Sequence, residues 1–148
     1  MKTQTTVTDI THEDLVDLFS TATYGSEYID IAWVNKNEYE RCRHDGDYRE
    51  DVYARMLLNG YKIEVRDYYS EDEEDFYGNL HHEWNEEDGC MVYHVGIEDV
   101  KKGIAKCLDL GGFEAECAQL LISEPEKLDL YEAEAIMQVI VFGELIYG

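Results

Sequence analysis

The stretch Tyr61-Lys-Ile-Glu-Val-Arg-Asp67 alternates apolar and polar side chains without interruption. Tyr61, Ile63 and Val65 fall on one side of an extended chain, and the charged residues between them fall on the other. A period of two is typical of a β-strand with one face on a core and the other in water. The stretch therefore predicts a sheet that is covered on one face only.

Two further strands are predicted, one on each side of this stretch in the sequence. Residues 28–34 are rich in β-formers and roughly alternate, and residues 90–95 are similar in character. Residues 70–89, between the second and third strands, are acidic and rich in turn-forming Gly and Asn. The segment from 61 to 95 is thus compatible with an antiparallel hairpin that has a long acidic connection.

Helical spacing of apolar residues accounts for most of the remaining chain. Thr11 and Asp14 form a capping-box-like start for the first helix, and Asp129 or a neighbour starts the last one. The predicted helices cover residues 11–25, 47–58, 97 to the glycine pair at 111–112, 113–122, and the segment from 129 into the apolar C-terminus. Residues 35–46 are predicted as a loop or as a short helix over 38–41.

These elements predict an α+β fold in a single domain spanning residues 1–148. We expect a small antiparallel sheet of about three strands, packed on one face against four to five helices. The four cysteines form no CxxC pair, which indicates reduced, mostly buried thiols. We expect a cytoplasmic protein, since the N-terminus has no apolar signal region and no stretch approaches 18 uninterrupted apolar residues.

The composition argues against some classes of binding partner. The chain has 148 residues, 34 Asp plus Glu and only 12 Lys plus Arg, for a formal charge of -22. That charge argues against direct binding to nucleic acid or to an anionic membrane, which both require a basic surface. The 45% apolar and 12% aromatic content indicates a folded domain rather than a disordered acidic tail.

The negative charge is unevenly distributed. Twelve acidic residues and no Lys or Arg lie between Asp67 and Asp99. B-DNA carries one charge per about 1.7 Å, so 22 charges correspond to roughly 37 Å of duplex. A compact domain of this length has a diameter of roughly 38 Å. The chain therefore has a charge per unit length close to that of duplex DNA, and it could occupy a basic DNA-binding channel.

The candidate partner-binding residues combine this charge with nearby aromatic side chains. They are Asp72, Glu73, Glu74, Asp75, Phe76, Tyr77, Trp84, Glu86, Glu87 and Asp88. The alternative is that these charges simply solvate a surface loop, which is the ordinary role of a charge run.

A metal site is a weaker alternative. His81, His82 and Glu83, together with Cys90 and His94, offer the N, O and S donors that zinc accepts. Their spacing matches no zinc finger, ribbon or HExxH pattern. Unpatterned His and Cys residues usually have ordinary structural roles, so we expect no metal, no cofactor and no catalytic activity.

Four segments carry a resemblance to known proteins. They are Ile10-Thr-His-Glu-Asp-Leu-Val-Asp-Leu18 with Thr21-Ala22 and Gly25; Asn59-Gly-Tyr-Lys-Ile-Glu-Val-Arg-Asp67; Val95-Gly-Ile-Glu-Asp-Val-Lys-Lys-Gly-Ile104; and Ala135-Ile-Met-Gln-Val-Ile-Val-Phe-Gly-Glu-Leu-Ile-Tyr-Gly148. Their order and spacing resemble a group of small acidic proteins encoded by phages and mobile elements of Gram-positive gut bacteria. The resemblance covers most of the chain and is most specific in the last seven residues. This sequence departs from the pattern of the group in having a longer acidic middle, residues 68–90. It implies a bacterial cytoplasmic context and transfers no catalytic residues.

Charge and context together predict a counter-defence inhibitor. Such a protein would bind the basic nucleic-acid channel of a host nuclease, for example a CRISPR effector or a restriction enzyme. The first alternative is a small interaction or oligomerisation module whose apolar C-terminal helix forms a symmetric dimer. The second alternative is a zinc-dependent enzyme built on His81, His82, Cys90 and His94.

Overall fold

The computed structural model describes residue 7 and residues 9–148, and it confirms the α+β prediction. The described part of the chain forms six α-helices, one 3-10 turn and a four-stranded antiparallel sheet. The helices are α1 (His12–Gly25), α2 (Lys36–Cys42), α3 (Arg49–Leu58), α4 (Ile97–Leu110), α5 (Gly112–Ser123) and α6 (Leu130–Phe142). The strands are β1 (Ile29–Trp33), β2 (Ile63–Asp67), β3 (His82–Asn85) and β4 (Cys90–Val95), and the 3-10 turn is Pro125–Lys127.

Strand β2, the alternating stretch of the sequence, lies in the interior of the sheet. The strand order is β1-β2-β4-β3, and each neighbouring pair is antiparallel. Ile63 and Val65 are fully buried in the core with the helices, whereas Glu64 and Arg66 lie on the opposite face. The alternation of the sequence therefore corresponds to the two faces of the sheet.

Strand β3 is the element that the sequence pattern did not show. It has four residues, His82-Glu83-Trp84-Asn85, and it lies inside the segment predicted to be an irregular acidic connection. In the described part of the chain it is an edge strand that pairs with β4 alone, from His82 opposite Tyr93 to Asn85 opposite Cys90. So short a strand gives too few alternations to be recognised, and its pairing with β4 supplies the order that its own sequence lacks.

The helix predictions hold with two adjustments. The capping box of α1 is present, since Thr11 Oγ1 accepts from Asp14 N and Asp14 Oδ2 accepts from Thr11 N, both at 3.1 Å. The short-helix alternative is the right one for α2, because Asn35 caps its N-terminus and extends it over residues 36–42. Helix α3 begins at Arg49 rather than Asp47, because the Asp47 carboxylate is bound to His44 N and to Arg55.

Helix α6 is buried around its whole circumference. Every residue from Ala133 to Phe142 is buried, including the polar Glu134 and Gln138. It packs against α1, α4 and α5, so its apolar side chains are already covered within the chain. The residues that suggested a symmetric dimer are therefore core residues. Although α6 is very apolar, no helix in the described residues has the length and apolarity needed to cross a membrane.

The contact between α4 and α6 depends on a glycine. A Cβ atom placed on Gly103 would lie 2.6 Å from the Cα of Ile140 on α6, a distance that real Cβ atoms do not adopt. The two backbones therefore approach closely because position 103 has no side chain. A larger residue there would force α4 away from the centre of the core.

We expect Gly103→Ala to lower the free energy of unfolding by about 2 kcal/mol, because the added methyl group overpacks the helix contact. Urea denaturation measures this change. Gly96→Ser is the matched control, since a Cβ at Gly96 meets no atom closer than 3.6 Å and Ser is a favoured helix N-cap. The control should unfold within about 0.5 kcal/mol of the native protein or be slightly more stable. Equal stability of Gly103→Ala and the native protein would contradict this description of the core.

Candidate functional site

The acidic segment leaves the sheet at Asp67, the last residue of β2. Asp67 continues the inward alternation of that strand, so its carboxylate is completely buried. The hydroxyl of Tyr147 donates to both carboxylate oxygens, at 2.8 and 3.0 Å, and Tyr69 N donates to Oδ1 at 3.0 Å. Burial raises the pKa of Asp67, and these hydrogen bonds oppose the rise because they favour the ionised form.

The chain after Asp67 is held in place by Ser70. The Ser70 hydroxyl donates to the Asp67 carbonyl at 2.5 Å and accepts from Met91 N on β4 at 2.7 Å. Both bonds are buried. The start of the acidic segment is therefore fixed to two neighbouring strands, and the acids that follow project from a defined point.

The following residues, 71–76, form what we call the acidic loop. Its own carboxylates close it, since Glu71 N donates to Asp75 Oδ2 and Glu74 N donates to Asp72 Oδ1, both at 2.9 Å. The side chains of Asp72, Glu73 and Glu74 are exposed, and Asp75 is half-buried. The loop thus holds four of the predicted partner-binding acids, Asp72 to Asp75, in one ordered turn.

One exposed aromatic ring accompanies these acids. Phe76 is 45% exposed and stacks on the ring of His82, with centroids 4.0 Å apart. Tyr77 and Trp84, also predicted as contact residues, instead pack against the core, and Tyr77 N donates to the Tyr93 hydroxyl. Of the three aromatic candidates, Phe76 is therefore the one that offers a large part of its ring to a partner.

The second group of predicted acids lies in the turn between β3 and β4. Glu86, Glu87 and Asp88 are exposed, and Asn85 Oδ1 accepts from Asp88 N at 3.0 Å. This turn leaves the same end of the sheet as the acidic loop, because Asn85 pairs with Cys90 and Asp67 pairs with Met91. The fold therefore collects the predicted acids at one end of the sheet.

Two arginines near the sheet, Arg66 and Arg55, are already paired with acids. Arg66 contacts Glu64 at 3.1 Å and Asp88 at 3.3 Å, so the charge of the β3–β4 turn is partly neutralised. Arg55 contacts Asp47 at 2.7 Å. Within residues 7 and 9–148, the ion pairs involve none of the carboxylates of Asp72 to Asp75. The acidic loop is therefore the less compensated of the two groups.

The structure brings three of the predicted metal ligands together and places the other two elsewhere. His81, Glu83 and His94 bring one donor atom each to within 4.8 Å of one another. His82 is excluded from this group because it faces the other side of β3 and stacks on Phe76. Cys90 is buried at the far end of β4, and burial raises the pKa of its thiol. All four cysteines are free and buried, as the sequence indicated.

A groove that the sequence did not indicate lies beside the C-terminus. It has a volume of about 390 Å³, and its rim includes the exposed side chains of Phe113, Tyr131 and Leu145. Glu134 also lines it, and one oxygen of this buried carboxylate has no hydrogen-bond partner among the residues that the structure describes. The lining comes from Tyr28 before β1, from α5 and α6, and from residues 145–148, so no local sequence pattern could have revealed it.

Comparison of the chain with protein-family models, with curated proteins and with solved structures finds no match.

We expect Tyr147→Phe to lower the free energy of unfolding by about 2 kcal/mol at pH 7, because buried, ionised Asp67 loses its strongest hydrogen bond. The folded pKa of Asp67 is above its ordinary value of 3.8, so ionising it lowers stability as the pH rises through that pKa. Removing the Tyr147 hydroxyl raises this pKa further. The difference between variant and native protein should therefore shrink as the pH falls and Asp67 becomes protonated.

Urea denaturation at several pH values measures this difference, with Tyr131→Phe as the control. Tyr131 is 75% exposed, so loss of its hydroxyl should change stability little at any pH. A destabilisation of Tyr147→Phe that does not vary with pH would show that Asp67 is not the group responsible.

Proposed function

We propose that the protein is a non-enzymatic inhibitor that occupies the basic nucleic-acid channel of a host protein, such as a CRISPR effector or a restriction enzyme. The proposal places it in the bacterial cytoplasm, encoded by a phage or mobile element. The observation that carries it is the acidic loop, an ordered and uncompensated group of four carboxylates beside the exposed ring of Phe76.

The overall charge supports long-range attraction to a basic channel. A formal charge of -22 on a domain of this size gives a charge density close to that of duplex DNA. Complementary fields of this kind raise association rates by about 10- to 1,000-fold and are screened by salt. Binding should therefore be fast and should weaken as the ionic strength rises.

The order of the acidic loop supports affinity at short range. A disordered acidic segment loses conformational entropy when it binds, whereas a loop closed by Asp72 and Asp75 has already lost most of it. Phe76 adds an apolar contact that a phosphate backbone cannot make. The protein would thus compete with nucleic acid through charge and gain specificity through the aromatic ring.

This mechanism is one of steric and electrostatic exclusion. Carboxylates of the acidic loop would accept hydrogen bonds from Arg and Lys side chains that otherwise contact phosphates. While the channel is occupied, nucleic acid cannot enter it. No covalent bond is made or broken, so inhibition would be reversible.

The combined variant Asp72→Asn, Glu73→Gln, Glu74→Gln and Asp75→Asn tests the proposal. The amide oxygens can still accept the hydrogen bonds that close the loop, so the variant removes charge and keeps the conformation. The immobilised native protein should capture a nucleic-acid-binding protein from host lysate and release it as salt is raised. Affinity for the captured protein should fall at least roughly tenfold in the variant.

A control variant removes the same number of charges elsewhere. Glu27, Glu40, Glu116 and Glu126 are exposed and belong to other parts of the chain, and their replacement by Gln gives the same net charge as the loop variant. The control should bind within about twofold to threefold of the native protein. Equal binding by both variants would show that the loop has no specific role. Capture that does not depend on salt would show that the protein does not mimic a polyanion.

The groove beside the C-terminus supports a second candidate, a protein-interaction module. Its exposed Phe113, Tyr131 and Leu145 would receive an apolar segment of a partner. In this case Tyr131→Ala, which removes an exposed ring, should reduce partner capture at least roughly tenfold. The acidic-loop variant should then bind normally. The opposite pattern favours the inhibitor.

A further inference from the structure

The open face of the sheet carries an imidazole cluster at its β3 edge. Glu83 and His94 lie on the face away from the helices, since their strand neighbours Trp84 and Tyr93 point into the core. His81 joins them from the residue before β3, because its carbonyl accepts from His94 N at 2.9 Å. Antiparallel pairing thus places two imidazoles and one carboxylate together on adjacent strands.

The distances within this cluster suit a tetrahedral metal ion. His94 Nε2 and Glu83 Oε1 are 3.4 Å apart, and donor atoms from all three residues lie within 4.8 Å of one another. Two donors that bind zinc tetrahedrally at about 2.0–2.1 Å are about 3.4 Å apart. The His94–Glu83 pair therefore already has the separation of two zinc ligands, and the exposed His81 needs only a side-chain adjustment to complete the set.

The side chain of His94 gives independent support for a ligand. Its Nε2 atom is buried and makes no hydrogen bond within the described residues, although Glu83 Oε1 lies 3.4 Å away. Buried polar atoms in proteins are nearly always hydrogen-bonded. An unpaired nitrogen on an imidazole that faces a carboxylate and a second imidazole therefore requires an explanation. A metal ion would supply the missing partner, because the neutral imidazole nitrogen is a good zinc ligand.

The cluster adjoins open space on its Glu83 side. A cleft of about 280 Å³ there is lined by Glu83, Glu64, Glu86 and Val92, whereas His81 and His94 do not line it. Glu64 lies directly opposite His94 on β2. Glu64 is paired with Arg66 at 3.1 Å, so the exposed Glu86 and the overall negative charge are what attract a divalent cation toward the three donors. The fourth position would hold a water molecule.

We propose that His81, Glu83 and His94 bind one Zn²⁺ ion on the open face of the sheet. The ion would join edge strand β3 to β4 and to the chain that enters β3 from the acidic loop. It would therefore stabilise the part of the sheet that has the fewest backbone contacts of its own. This proposal is independent of the inhibitor function, because it concerns a different face and a different kind of ligand.

Titration of the protein with zinc chloride alone tests the site, with isothermal calorimetry for stoichiometry and affinity. We expect one ion per chain and a melting temperature raised by roughly 5 °C at saturation. His81→Gln and His94→Gln should each weaken zinc binding at least about 100-fold, since loss of a direct ligand exceeds the effect of an outer contact. His81 is exposed, so its variant should fold normally even if the His94 variant does not.

His82→Gln is the matched control, because His82 is adjacent in sequence and faces the other side of the sheet. It should bind zinc within about twofold to threefold of the native protein. Calcium should bind far more weakly than zinc, since it prefers oxygen ligands over imidazole. Equal zinc affinity in the native protein and the His81 variant, or calcium binding as tight as zinc, would overturn the site and indicate adventitious binding to surface carboxylates.

Discussion

The buried hydrogen bond between Asp67 and Tyr147 connects the C-terminal residues to the sheet at the start of the acidic segment. It joins the end of an interior strand to the penultimate residue of the chain. Gln138 prepares Tyr147 for this contact, since its amide oxygen accepts from the backbone N–H groups of Ile146 and Tyr147. A carboxylate without a cationic partner is costly to bury unless its oxygens are hydrogen-bonded. The bond therefore ties the last helix to the sheet and fixes the point from which the acidic loop departs.

This arrangement shows how a chain with such an excess of acid can fold around one core. Nearly all of its carboxylates lie at the surface, where water screens their mutual repulsion. Repulsion between neighbouring acids does affect Asp17. Its pKa is raised by partial burial and by the nearby Glu126, Glu13 and Asp14. The acidic loop avoids part of this penalty because two of its carboxylates accept backbone hydrogen bonds.

The sequence predicted the elements that are governed by local patterns. The alternation of β2, the capping box at Thr11 and the Asp129 cap of α6 were all correct, because each depends on residues close together in the chain. Strand β3 and the Asp67–Tyr147 contact were missed, because both depend on partners distant in sequence. The same limit applies to the proposed sites. The acids of the loop are contiguous and could be found, whereas the convergence of His81 and Glu83 with His94 required the strand register.

The central functional claim is that the protein and nucleic acid occupy the same channel of a host protein. Competition between them measures this most directly, using the captured host protein and a duplex of about 11 base pairs, which carries about 22 phosphate charges. We expect mutually exclusive binding, so that rising duplex concentration displaces the protein completely and no ternary complex forms. A stable complex containing the host protein, the duplex and this protein together would contradict it.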